Sequence, residues 1–86
     1  MTLIKLTNTD DHTNTTIINT EATPDVITEN IKTVLDPNLY AFDGDLYDWD
    51  AQVLAEHITT GRWAKLTEDA QAMHITVTGA ERGTVA

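Results

Sequence analysis

With 86 residues the chain has material for one small domain, which excludes a multi-step enzyme carrying its own cofactor domain. Five basic residues against fourteen acidic ones leave a net charge of -9, and direct binding to nucleic acid or to an anionic membrane face needs the opposite sign. The absence of cysteine excludes a disulfide framework, a zinc–thiolate site and a thiol nucleophile.

Residues 2–7 alternate and predict a strand, with Leu3, Lys5 and Thr7 on one face and Ile4 and Leu6 on the other. This N-terminus turns polar too early for a signal sequence, and no apolar run approaches the ~20 residues of a membrane span. Together with the lack of cysteine, this leads us to expect a cytoplasmic protein with no membrane association. Residues 8–14 are dense in turn formers, and Thr15 to Thr20 predicts the second strand of a hairpin. The chain holds 16 threonines, a residue suited to half-exposed strand faces.

Thr23-Pro24-Asp25 is a helix start: a capping hydroxyl, a proline at the first helical position and an acid at the positive helix end. Ile27, Ile31, Val34 and Leu35 make one apolar stripe, so a helix is predicted over about 24–35, stopped by Asp36-Pro37. Asn38 to Tyr47 reads as short extended pieces around an Asp43-Gly44-Asp45 turn. Asp48 or Asp50 then caps a second helix, about 50–60, with Val53, Leu54, His57 and Ile58 as its stripe and Gly61 as its left-handed end. Arg62 to Thr67 reads as a strand, or else Thr67-Glu68-Asp69 opens a short helix through Ala72. Met73, Ile75 and Val77 alternate with His74, Thr76 and Thr78 in a final strand. The expected fold is α+β: a small antiparallel sheet in the order β-β-α-(β)-α-β-β, with two helices on one face, as a single domain over 1–79. The tail, 80–86, is expected to fray.

Acidity is concentrated. Between Lys5 and Lys32 lie Asp10, Asp11, Glu21, Asp25 and Glu29; between Lys32 and Arg62 lie Asp36, Asp43, Asp45, Asp48, Asp50 and Glu56, with no basic residue inside either window. An EF-hand register fails from both starts: from Asp45, Tyr47 and Trp49 occupy ligand positions, and from Asp43, Leu54 falls on the last one. Acid–base catalysis by paired carboxylates needs a walled cleft, for which a chain this short has little material. His12, His57 and His74 accompany no nucleophile in a recognisable turn, so neither catalysis nor a cofactor is expected. Trp49, Trp63 and Tyr40 are expected in the core or at its rim. The alternative, for Tyr47 and Trp49 interleaved with acids, is an anchor role at a protein interface.

Dense carboxylates on a small rigid body imitate a polyphosphate. If Asp43 and Asp45 lie in a strand, they stand about 6.6 Å apart on one face, against one phosphate per ~3.4 Å of duplex axis on each strand. In length, lack of cysteine, element order and the acid clusters Asp10-Asp11 and Asp43-Gly44-Asp45-Leu46-Tyr47-Asp48-Trp49-Asp50, the whole chain resembles small phage-encoded inhibitors, including anti-CRISPR proteins and DNA mimics; no shared motif is involved. That resemblance implies stoichiometric inhibition of a basic nucleic-acid-binding partner, a nuclease or CRISPR effector. The partner-binding residues are then Asp10, Asp11, Asp43, Asp45, Tyr47, Asp48, Trp49, Asp50 and Glu56. Competing readings are an antitoxin-like partner, a phage assembly module and a small calcium-binding domain.

Overall fold

A computed structural model describes residues 3–35 and 44–79. Strands β1 (Leu3–Asn8) and β2 (Thr15–Asn19) are followed by helices α1 (Pro24–Lys32), α2 (Gly44–Thr59) and α3 (Trp63–Ala72), then by strand β3 (Ile75–Thr78). The sheet is antiparallel throughout, in the order β2-β1-β3, so the first strand becomes the central one. The fold is α+β, as the sequence predicts.

Register follows from the alternation in β1. Ile4 faces Ile18, Leu6 faces Val77, and Asn8 faces Ile75, and these residues form the covered face of the sheet. Ile4, Leu6, Ile18 and Ile75 pack with Ile27, Ile31, Val34 and Leu35 and with Leu54, Ile58 and Leu66 in one core. The opposite face carries Lys5, Thr7, Thr15, Ile17, Thr76 and Thr78, and the Thr15 hydroxyl donates to that of Thr7 at 3.1 Å. Threonine abundance is thus partly a property of this open face.

The start of α1 is built as expected: the Thr23 hydroxyl accepts from the Val26 amide at 3.4 Å, and Pro24 occupies the first turn. The helix ends at Lys32, and Thr33–Leu35 turn rather than continue it, though Val34 and Leu35 remain buried. Gly61, at φ +70°, ends α2 in the left-handed conformation that glycine adopts without strain.

Three expectations are corrected. Gly44 to Tyr47 are helical rather than extended, so Asp48 and Asp50 lie inside α2 instead of capping it. The cause is a stripe that begins early: Tyr47, Ala51, Leu54, Ala55 and Ile58 recur at helical spacing and face the core. Trp63 to Thr67 form the beginning of α3, not a strand, because Trp63, Leu66, Ala70 and Met73 follow spacings of three, four and three; the alternative of a helix through Ala72 has the right end and starts four residues late. The order among described residues is therefore β-β-α-α-α-β, with three helices rather than two. The expectations for Thr2, for the Asp36-Pro37 stop, for 38–43 (including Tyr40) and for the 80–86 tail lie outside the described residues. Among the described residues, no helix is long and apolar enough to cross a membrane.

Candidate functional site

Helix α1 runs antiparallel along α2. Lys32, at the end of α1, pairs with Asp48 near the start of α2 at 2.7 Å, while Pro24 lines a groove together with Thr59 at the far end. That groove, open and about 380 Å³ in volume, is lined by Asp25, Thr28 and Glu29 from α1 and by Gln52, Ala55, Glu56 and Thr59 from α2. Both acidic windows of the sequence therefore meet there, Asp25 and Glu29 from the first and Glu56 from the second. Glu29 lies 3.7 Å from Lys32.

Other predicted site residues separate into distinct environments. Asp45 is exposed in the first turn of α2, where the helix dipole favours a carboxylate. Asp48 is committed to Lys32, whose ammonium is held above its ordinary range first by this hydrogen bond. Tyr47 faces inward: its hydroxyl donates to the Lys32 carbonyl, the Lys32 ammonium sits 5.8 Å from its ring centre, and burial pushes its phenol up. Tyr47 thus ties α1 to α2. Asp50 is half-buried. Trp49 is 64 % exposed and stands outside the core that was expected to hold it, whereas Trp63 does pack at the core rim. Asp43 lies outside the described residues.

Asp10 and Asp11 belong to the β1–β2 loop. Asp10 pairs with His74 at 3.1 Å, and Asp11 accepts from the Thr13 hydroxyl at 2.6 Å and amide at 3.1 Å. The hydroxyl bond is the main reason the Asp11 carboxyl sits below its ordinary range. These bonds hold the loop, and neither residue lines the α1–α2 groove. His74 is the α3–β3 link rather than a strand position, with φ +62°, a region uncommon for a residue with a side chain.

Asp25 and Glu29 are groove residues absent from the predicted set. The signal for Asp25 was its place at a helix start, which a structural role already explains. Only the antiparallel pairing of α1 with α2 brings it near Glu56.

His57 and Asp69 form a part-buried contact, Nε2 to Oδ2 at 2.7 Å, that joins α2 to α3. It resembles the oriented half of a catalytic triad, yet His57 Nδ1 is buried without a hydrogen-bond partner, so no hydroxyl stands where a nucleophile would be needed. The pair links α2 to α3. Asp69→Ala should lower stability by about 1–2 kcal/mol, because it leaves both ring nitrogens unsatisfied. Adding His57→Leu should recover part of that loss, since an apolar side chain has nothing to satisfy. Urea unfolding of the two variants checks the order.

Among the described residues, no group of three or more His, Asp or Glu side chains could hold a metal ion. Comparison with protein-family models, with curated proteins and with solved structures finds no match.

Proposed function

We propose that this protein is a non-catalytic acidic inhibitor that docks its α1–α2 face on the cationic nucleic-acid-binding surface of another protein, in the cytoplasm, and blocks that surface from DNA. A nuclease or CRISPR effector is the expected kind of partner. The observation that carries this reading is the convergence of Asp25, Glu29 and Glu56 on one open groove. A cationic groove attracts such a surface rapidly and over a distance.

Asp45 lies in a helix, and the spacing that carries the charge is helical. Asp25 and Glu29 are one turn apart, about 6 Å along the axis, close to two phosphate steps of about 6.8 Å on a DNA strand. Glu56 supplies charge from the adjacent helix, whose axis lies about 8–10 Å away. Asp48 contributes less, because Lys32 pairs with it at 2.7 Å, and the same ammonium, 3.7 Å from Glu29, offsets part of that charge too.

The test is capture of host proteins on the immobilised chain at low salt, repeated with excess duplex DNA and with an Asp25→Asn, Glu29→Gln, Glu56→Gln variant. A nucleic-acid-binding protein should be held, be released by DNA, and bind the variant about tenfold less tightly, from three exposed ion pairs at roughly 0.5 kcal/mol each. Undiminished binding by the variant, or binding that DNA leaves undisturbed, overturns the reading.

A further inference from the structure

Helix α2 has two apolar faces. The inner one is buried in the core; the outer one presents Leu46, 41 % exposed, Trp49, 64 % exposed, and half-buried Val53 one turn further on. Leu46, Trp49 and Val53 recur at spacings of three and four, so they form one stripe. An indole this exposed lies outside the core, and Trp is enriched among binding anchors.

Its neighbours along the helix are polar, two of them acids. Asp45 lies one turn before Trp49, Gln52 one turn after it, and Glu56 two turns after it, near one line along α2. Gln52 and Glu56 also line the α1–α2 groove, so Trp49 extends the groove's edge.

We infer that Trp49 is the anchor of the docking face and that it receives an arginine side chain from the basic partner. This rests on the reading of the α1–α2 face as the site for a cationic protein surface, and it names the side chain that surface must supply.

Three considerations favour arginine over other occupants. A purely apolar partner covering Trp49 would strip water from Asp45 and Glu56 and return no hydrogen bonds. A second copy of this chain has fourteen acids and five basic residues to offer, so two such faces repel. Between the two cationic side chains, arginine lies flat on an indole while its remaining N–H groups reach a carboxylate; the lysine ammonium is compact, strongly hydrated and stacks less well.

The test measures binding of dye-labelled octa-arginine and octa-lysine at low salt by fluorescence anisotropy. The proteins are the intact chain, Trp49→Ala, Trp49→Phe, and Asp45→Asn with Glu56→Gln. Octa-arginine should bind the intact chain about fivefold more tightly than octa-lysine. Trp49→Ala should abolish that preference while leaving octa-lysine binding nearly unchanged, and Trp49→Phe should keep part of it. The carboxylate variant should weaken both peptides. Because Trp49 is exposed, its variants should melt with the parent chain, which circular dichroism verifies. Equal binding of both peptides by the intact chain, or a preference that survives Trp49→Ala, removes the anchor and leaves the acidic docking face standing. Failure of both peptides to bind at low salt overturns the anchor and the cationic-partner reading together.

Discussion

Leu54→Ala should destabilise the protein by about 3–4 kcal/mol, within the range for leucine deletions from close-packed cores. Leu54 is fully buried on the inner face of α2, in the core shared with α1 and the sheet. The lost methyl groups leave a cavity between the helices and the sheet. A chain of 86 residues has a total stability on the order of 4–13 kcal/mol, so one substitution removes a large share of it. With a urea m-value near 1–1.5 kcal/mol/M, the midpoint falls by about 2–4 M. Trp49→Ala, five residues away on the same helix, deletes a larger side chain and should shift stability by less than about 0.5 kcal/mol. The pair measures the two faces of α2 against each other. A loss for Trp49→Ala comparable to that for Leu54→Ala would mean that the exposed indole belongs to the fold.

That contrast also shows what the sequence discloses and what it hides. Strand β1 reads directly because only one face is buried, and Ile4 and Leu6 alternate with polar residues. Helix α1 reads directly because its cap, its proline and its apolar stripe agree. Helix α2 does not, because its first turn is Gly44-Asp45-Leu46-Tyr47, poor in helix formers, and because apolar residues on both faces blur the stripe. Tertiary contacts decide the matter: Tyr47 reaches the end of α1 and packs against the core. Helix α3 is partly legible: the alternative helix opened by Thr67-Glu68-Asp69 has the right end at Ala72, but its start at Trp63 shows only when the Trp63-to-Leu66 and Leu66-to-Ala70 spacings are read together. The candidate site was half legible. Clustered acids mark Glu56 and Asp45, but only the pairing of α1 with α2 brings Asp25 and Glu29 to Glu56 and leaves Asp10 and Asp11 elsewhere.

The groove and the hairpin loop can be separated by experiment, since the loop has its own keystone in Asn8. As a residue among turn formers it looks expendable. In the structure it is nearly buried at the end of the central strand. Its amide nitrogen donates to the Val34 carbonyl at 3.0 Å, and its side-chain oxygen accepts from the Asp10 and Asp11 amides at 2.9 and 3.0 Å. One side chain therefore satisfies a carbonyl just beyond the end of α1 and folds the loop back on the sheet. Asn8→Ala should cost about 2–4 kcal/mol: about 1–3 for the acceptor stranded beside fully buried Val34, and less for loop amides that water can reach. Asn8→Asp is the sharper variant. A carboxylate still accepts from both loop amides but turns a bare negative charge toward the Val34 carbonyl, so burial should raise the pKa of the new carboxyl above its unfolded value near 3.9. A group shifted upward contributes its stability below the unfolded value and loses it as pH rises through the folded one. Asn8→Asp should therefore approach the parent near pH 4 and fall furthest behind it at neutral pH, whereas Asn8→Ala should show no such dependence. Urea unfolding at both pH values checks this. Neither substitution touches α1 or α2 on their groove side, so binding through Trp49 and the groove should persist at temperatures where the variants remain folded. If binding fails there while circular dichroism stays native, Asp10 and Asp11 belong to the docking surface after all, and the contact must extend to the hairpin loop.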